Sequence, residues 1–185
     1  MRRFIDITKE LFGGEPFPGD PAPERFVIKT VAKDKYALTA FYACAHNGTH
    51  MDAPCHFIEG GGDIASVALE KCAGECYVAD TVDDAFAATE RGFTRIILKG
   101  FDVTPTEAER FSGRVLLLGM DGPSFGAHSA AGKVHRILLS KEIVLLENLA
   151  LDGVACGEYE LIALPLKLGK SDGSPVRAVL IKNEE

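Results

Sequence analysis

The segment from His46 to His56, HNGTHMDAPCH, holds three of the chain's five histidines and an aspartate within eleven residues. Gly48 and Pro54 make a continuous helix over this segment unfavourable. On a straight strand, His46 and His50 would share a face, with their Cα atoms about 13 Å apart at ~3.3 Å per residue. Two nitrogens on one metal ion lie only about 3 Å apart, because each bond is ~2.0–2.1 Å long. The chain must therefore bend between these histidines, and Asn47-Gly48-Thr49 is suited to a bend.

Imidazole and carboxylate groups at this spacing are typical ligands of zinc or manganese. Strand alternation after His50 places Asp52 on the same face, and Pro54 gives the chain a rigid exit towards His56. The alternative is a group of partly buried histidines that are satisfied by hydrogen bonds. One histidine alone would favour that alternative, but three with an aspartate in one short segment favour a metal site.

His50 and Asp52 alone would leave a metal ion under-coordinated, so further ligands should come from other parts of the chain. Of the two remaining histidines, His128 lies in a predicted loop and fits a surface or substrate contact. His135 opens a predicted helix and is the better ligand candidate. Glu147 directly follows the apolar run 143–146. A carboxylate in this position is either a surface charge at the end of a strand or a site residue that faces inward, and the sequence favours neither alternative.

Composition predicts an ordinary globular protein with a single domain over residues 1–185. The chain has 46% hydrophobic and 25% charged residues, and no apolar run approaches the ~20 residues of a membrane span. Its first residues, MRRFID, do not resemble a secretory signal. The net charge is −7 and no basic block occurs, which argues against nucleic acid as a partner. We therefore expect neither a membrane nor a nucleic acid as partner.

Five cysteines, an odd number, occur without a CxxC pair, which predicts reduced thiols and a cytoplasmic location. Cys72 and Cys76 could form half of a metal site, but no second pair follows, so two semi-buried small hydrophobic residues are the better interpretation. Cys55 lies inside the histidine segment and could be a ligand or a nucleophile. The histidines and Asp52 already meet that need.

The order of apolar segments predicts a mixed α/β fold with a covered β-sheet. A helix is predicted over 83–92, capped by Asp83 or Asp84, and another over 104–111, with Thr104 as N-cap and Glu107 completing a capping box. Residues 11–24 hold three glycines and four prolines and should be irregular. Strands are predicted over 4–7, 26–32, 37–45, 76–80, 95–99, 115–118, 143–146, 159–168 and 176–182.

The ungapped pattern HxGTHxDxPxH over 46–56 resembles the cyclase-like metal-dependent hydrolase family, which includes bacterial kynurenine formamidase (arylformamidase) and isatin hydrolase. The segment GMDGPSFG resembles the family's T-D-x-P-S loop, with Met120 before Asp121 where threonine is more usual. His135 and Glu147 match a downstream histidine and glutamate. The tail over 146–180 is similar to the ends of formamidases, so the resemblance covers nearly the whole chain.

The resemblance implies a swivelling β/β/α fold, a homodimer or larger homo-oligomer, and two divalent metal ions, either Zn(II) or Mn(II). The implied activity is hydrolysis of N-formyl-L-kynurenine to L-kynurenine and formate in tryptophan degradation. The implied site has His56 as general acid/base; His46, His50 and Asp52 on the first metal; His135 on the second; and Asp52 and Glu147 bridging both.

One position departs from the formamidase pattern. The segment EPFPGD carries Phe17 where a tryptophan commonly packs on the substrate's aromatic ring, and the chain has no tryptophan. Phe17 can still stack on an aniline ring, with less area and no N–H donor. A cyclic amide such as isatin, or another small amide or lactone, is therefore an alternative substrate. A metal-binding module without catalysis is a further alternative, but it would have no use for His56 as an acid/base.

Overall fold

The computed structural model describes residues 1–126 and 129–183, so the loop residue His128 lies outside the described residues. Two short 3₁₀ turns, Pro54–His56 and Ile64–Ser66, accompany the regular elements. In chain order these elements are β1 (Arg2–Asp6), β2 (Glu24–Lys29), α1 (Val31–Asp34), β3 (Leu38–Tyr42), β4 (His50–Asp52), α2 (Leu69–Cys72), β5 (Ala73–Ala79), α3 (Val82–Glu90), β6 (Arg95–Leu98), α4 (Pro105–Phe111), β7 (Leu117–Met120), α5 (Ala131–Leu139), β8 (Val144–Glu147), β9 (Gly157–Pro165) and β10 (Gly173–Asn183).

A mixed sheet forms the centre of the fold, with strand order β1-β10-β4-β8-β7-β6-β5-β9. Strands β5 to β8 run parallel, and the other pairings are antiparallel. The long strand β10 pairs with β4 through Gly173–Pro175 and with β9 through Val176–Ile181. Because β9 and β10 pair as well, the sheet closes on itself like a barrel.

Both faces of the parallel strands β6, β7 and β8 are buried, as their apolar runs predict. In β6, Ile97 points into the barrel, whereas Ile96 and Leu98 pack in the second core beneath α3, α4 and α5. The same alternation in β8 sends Leu146 inside and Leu145 towards the helices. The predicted mixed α/β fold with a covered sheet is therefore confirmed.

Several element boundaries differ from the sequence-based prediction. The N-cap of α3 is Thr81, whose hydroxyl accepts from the Asp84 N–H at 3.2 Å, because Asp83 and Asp84 already lie in the first turn. Strand β7 runs over 117–120 and not over 115–118, because its ladder partners on β6 begin opposite Leu117. Helix α5 begins at Ala131, so His135 lies in its middle and does not open it.

Residues 11–23 contain no strand and no helix, as predicted, and lead into the separate two-stranded hairpin of β2 and β3. The extended segment predicted to reach residue 32 ends earlier, because α1 begins at Val31. Helix α4 has the predicted cap, in which Thr104 and Glu107 exchange hydrogen bonds. Among the described residues no helix is both long enough and apolar enough to cross a bilayer.

Candidate metal centre

The pairing of β4 with β8 builds one wall of the site. Register places His50 directly opposite Glu147, and Asp52 two residues further along β4. Met51 packs inside the barrel, so alternation turns His50 and Asp52 to the outer face, and Glu147 turns there for the same reason. That face is covered by α5, which contributes His135 from among its buried residues. Strand alternation and one helix therefore bring four buried polar side chains together.

His46 reaches this group from the turn before β4. Gly48 makes the turn with φ +64°, a left-handed conformation, and a Cβ there would lie 3.3 Å from the Cα of Leu11. The His46 and His50 rings meet edge to face with centroids 5.1 Å apart. The bend that the sequence required between these two histidines is confirmed.

The two carboxylates lie between the histidines, and each turns one oxygen towards His50 and the other towards His135. For Asp52, Oδ1 lies 3.5 Å from His50 Nε2, and Oδ2 lies 3.5 Å from His135 Nε2. For Glu147 the corresponding distances are 3.3 Å from Oε2 and 3.1 Å from Oε1. Asp52 Oδ1 also lies 2.9 Å from His46 Nδ1. Two carboxylates with this division of oxygens can bridge two cations.

Backbone carbonyls set the tautomers of two histidines. His50 Nδ1–H donates to Gly48 O at 2.9 Å, and His135 Nδ1–H donates to Ala131 O at 2.8 Å, because a carbonyl can only accept. The Nε2 atom of each ring therefore faces the carboxylates. Metal-binding histidines commonly hold their outer N–H in this way.

One atom of the site lacks the partner that its burial requires. Asp52 is fully buried, and its Oδ2 has no hydrogen-bond partner among the described residues. Such an atom is costly unless a ligand satisfies it. Two groups in the described chain have ligand atoms close enough for one ion, His50–Asp52–Glu147 and His46–Asp52–His56. The nitrogen and oxygen donor set and the unsatisfied oxygen fit a divalent metal ion.

The electrostatics favour positive charge at this position. Burial lowers the pKa of His46 and of His135, but contacts with acidic side chains outweigh it. Asp52 and Asp172 raise the pKa of His46 to about 9, and Asp52 and Glu147 raise that of His135 to about 10. Burial would raise the pKa of Asp52, yet its contacts with the His135 and His46 rings hold that pKa well below its usual range. The acidic pair therefore attracts cations, whether protons or metal ions.

His56 stands beside this group, in the 3₁₀ turn that Pro54 begins. Its ring stacks on His46 with centroids 4.1 Å apart. Burial lowers the pKa of His56 below its ordinary value, and the opposing charge of Asp52 does not restore it. A neutral imidazole at the border of the site is suited to accept and return a proton near neutral pH.

Two residues at the site were not predicted from the sequence, Asp172 and Phe57. Asp172 Oδ2 lies 3.0 Å from His46 Nε2 and 3.2 Å from His56 Nδ1. Phe57 packs edge to face on His56 and tilted on His135, with both pairs of centroids 4.6 Å apart. Asp172 lies in a Gly/Ser-rich turn that predicts only a reversal of the chain. For Phe57, its position next to His56 in the sequence is the feature that could have indicated a place at the site.

The cysteines and the 119–126 segment lie outside the two groups that could hold a metal ion. Cys72 and Cys76 are fully buried, deeper than the predicted semi-buried positions, and pack as small hydrophobic residues in the core. The Cys55 thiol lies 3.7 Å from Ser171 O, and burial raises its pKa, which disfavours a thiolate ligand. The Asp121 carboxylate accepts from Gly100 N–H at 2.9 and 3.1 Å and so joins the loops after β6 and β7.

Phe17 lies in the irregular segment beside the site. This segment approaches the histidine turn where Asn47 Nδ2 donates to Pro21 O at 3.3 Å. The Phe17 side chain is exposed. Its contact with a substrate ring remains a prediction.

Comparison with known proteins agrees with this geometry. The Cyclase family model matches residues 5–121. The kynurenine formamidase of Delftia acidovorans is 34% identical over 203 residues, which cover 97% of each chain. That of Bordetella petrii is 32% identical over 205 residues, covering 97% of this chain and 98% of the relative.

Solved structures share the fold. A structure described as a potential metal-dependent hydrolase with cyclase activity has a TM-score of 0.82 at 24% identity and covers 100% of both chains. Isatin hydrolase A from Labrenzia aggregata has a TM-score of 0.83 at 20% identity, covering 99% of this chain and 94% of that one. From the family match and the near-complete coverage by its relatives, we conclude that this chain belongs to the cyclase family of metal-dependent hydrolases, in the branch that contains kynurenine formamidases.

Proposed function

We propose that this protein is a metal-dependent amide hydrolase that cleaves N-formyl-L-kynurenine to L-kynurenine and formate. The observation that carries the proposal is the pair of carboxylates, Asp52 and Glu147, each shared between His50 and His135. It occurs in a chain that is 34% identical, over 97% of its length, to a curated kynurenine formamidase.

Two divalent ions fit the donor set, and Zn(II) is proposed ahead of Mn(II) because imidazole is the most frequent donor here. His46 and His50 would hold the first ion and His135 the second, with Asp52 and Glu147 bridging both. Bound divalent ions would supply Lewis acidity, which polarises a carbonyl group and makes water a stronger nucleophile at neutral pH.

His56 would act as the general acid/base. Water adds to the formyl carbon, the carbon–nitrogen bond breaks, and the departing aniline nitrogen takes up a proton. His56 Nδ1 lies 3.2 Å from the Asp172 carboxylate, so Nε2 is the nitrogen left to accept the proton of water and return it to the aniline. Burial keeps His56 neutral before the reaction, which the first of these transfers requires.

Phe17 is proposed to stack on the aniline ring of the substrate. The Asn47–Pro21 hydrogen bond supports this role, because it fixes the segment that carries Phe17 next to the histidine turn. A phenylalanine offers less stacking area than tryptophan and no N–H donor, so we expect a KM higher than a tryptophan at this position would give.

We also propose a homodimer or higher homo-oligomer assembled through the hairpin of β2 and β3. All residues of β3 and the first five of β2 are exposed, including Phe26, Val27, Ile28 and Phe41. A lone two-stranded hairpin is marginally stable, and so large an apolar surface is unusual for a monomer. A second copy of the chain would cover this apolar surface and would stabilise the hairpin.

We also propose a cytoplasmic location. The five free thiols support a reducing compartment such as the cytoplasm.

The test is steady-state hydrolysis of N-formyl-L-kynurenine, isatin and a small lactone by protein loaded separately with Zn(II) and with Mn(II), with bound metal counted. We expect kcat/KM of about 10⁴ M⁻¹s⁻¹ or more for formylkynurenine. The matched control is Asp52→Asn with Glu147→Gln, which keeps the shape of the site and removes its charge. A strong preference for isatin would replace the proposed substrate. Two bound ions with no hydrolysis of any compound would indicate a binding module.

A further inference from the structure

We propose that Asp172 is a positioning residue that fixes the ring orientation and tautomer of both His46 and His56. One oxygen of its carboxylate, Oδ2, lies 3.0 Å from His46 Nε2 and 3.2 Å from His56 Nδ1. The catalytic consequence of this arrangement rests on the proposed function, but the tautomer of His56 does not.

The direction of both hydrogen bonds follows from the chemistry of an ionised carboxylate, which can only accept. His46 therefore donates from Nε2–H to Asp172 and, as long as no metal ion is bound, from Nδ1–H to Asp52 Oδ1 at 2.9 Å. His56 donates from Nδ1–H, which leaves Nε2 as the nitrogen with a free lone pair. Asp172 would thus keep the proton on Nε2 of His46 when a metal ion replaces the Nδ1 proton, and it would leave Nε2 of His56 as the nitrogen that exchanges protons.

The backbone around Asp172 is held independently of its side chain. Asp172 O accepts from Ala53 N–H at 2.9 Å, and the preceding carbonyl, Ser171 O, accepts from Ile64 N–H at 2.9 Å. The next residue, Gly173, pairs with Asp52 in the ladder between β10 and β4. Because these backbone bonds fix the turn, the carboxylate points at the two rings as part of the fold.

Asp172 covers the solvent side of two more deeply placed rings. Its side chain is 49% exposed, against 16% for His46 and 27% for His56. The two rings stack at 30° with centroids 4.1 Å apart, so a rotation of one would disturb the other. Loss of the carboxylate would free His56 to place its proton on Nε2, the wrong tautomer for a proton acceptor there.

The experiment uses zinc-loaded protein labelled with ¹⁵N-histidine, with ring tautomers read from two-bond ¹H–¹⁵N NMR spectra. In the wild type we expect His56 protonated on Nδ1. In Asp172→Ala we expect that signal to be replaced by an Nε2–H or an averaged pattern, and kcat to fall about 10- to 100-fold with KM within about twofold. Asp172→Asn keeps an oxygen acceptor and should recover the wild-type tautomer and most of kcat.

Asp63→Asn is the matched control, because Asp63 Oδ2 accepts from Lys170 N–H at 2.6 Å and braces the same turn without touching a histidine. It should leave tautomers and kcat unchanged. An Asp172→Ala protein with wild-type tautomers would overturn the inference, whether or not it loses activity. If the wild type does not hydrolyse formylkynurenine, the proposed function fails, while the NMR spectra still decide the role of Asp172.

Discussion

The His56 ring has one nitrogen beside Asp172 and the other free for chemistry. His56→Ala should keep the metal content of the wild type and lower kcat by about 10²- to 10⁴-fold, because a general acid/base contributes that much. Metal content and steady-state kinetics check this together. The neighbouring variant Cys55→Ser is the control and should keep activity within about twofold. Full activity in His56→Ala would remove His56 from the mechanism, and a large loss in Cys55→Ser would restore the thiol as a candidate.

At the residue scale, side-chain type and spacing could predict the histidines and carboxylates that the structure brings together. They could not predict Asp172, which is 126 residues from His46 in sequence and comes close only through the pairing of β10 with β4. An aspartate in a Gly/Ser-rich turn carries the same local signal whether it faces solvent or a histidine.

At the level of elements, the first residue of β10 must be glycine. A Cβ on Gly173 would lie 2.8 Å from His46 Cε1 and 2.9 Å from Met51 O, so Gly173→Ala should push the His46 ring out of place. We expect weaker binding of the first metal by about tenfold or more, measured by titration against a chelator. Gly169→Ala, with no atom within 4 Å of the added Cβ, is the control in the same hairpin. Equal affinities in the two variants would contradict this account.

Elements with strong local signals could be predicted from the sequence, whereas their ends depended on tertiary contacts. The capping box of α4 and the buried strands β6 and β8 follow from local chemistry. The start of α5 does not, because Gly132 near its beginning and the lack of a capping side chain resemble a loop. Its first turn forms because Val134, His135 and Leu138 are buried against the sheet.

For the whole molecule, the metal-free protein should lose stability as the pH rises. His46 and His135 have folded-state pKa values of about 9 and about 10, above the ordinary 6.5. The folded state therefore binds more protons than the unfolded state between these values, and the free energy of unfolding falls with pH. The contribution is complete below pH 6.5 and is lost as the pH passes through about 9 to 10.

Urea denaturation of chelator-treated protein from pH 6.5 to 9 measures this dependence. Zinc-loaded protein is the comparison and should show a weaker dependence, because bound metal replaces the protons. A constant midpoint in the metal-free protein would show that these histidines are not held as the structure indicates. Saturation at 100 times Kd should also raise the free energy of unfolding by about 2.7 kcal/mol.

The exposed hairpin of β2 and β3 makes a prediction about assembly. Val27→Lys with Ile28→Glu places charges on both faces of the hairpin and should convert the proposed oligomer to monomer, as measured by sedimentation equilibrium. Leu69→Glu introduces a charge at an equally exposed apolar residue on α2 and should leave the assembly intact. A monomeric wild type would refute the proposed assembly, and dissociation by Leu69→Glu would move the interface to α2.

The closure of the barrel by β10 determines when the site can exist during synthesis. Asp172 and Gly173 enter the site with this strand, and β10 follows every other strand of the sheet in the sequence. A growing chain can emerge with His46 and Glu147 already made and still lack the strand that joins β4 to β9. Completion of the site is thereby tied to completion of the fold, because the turn that carries Asp172 is fixed only when β10 pairs with β4.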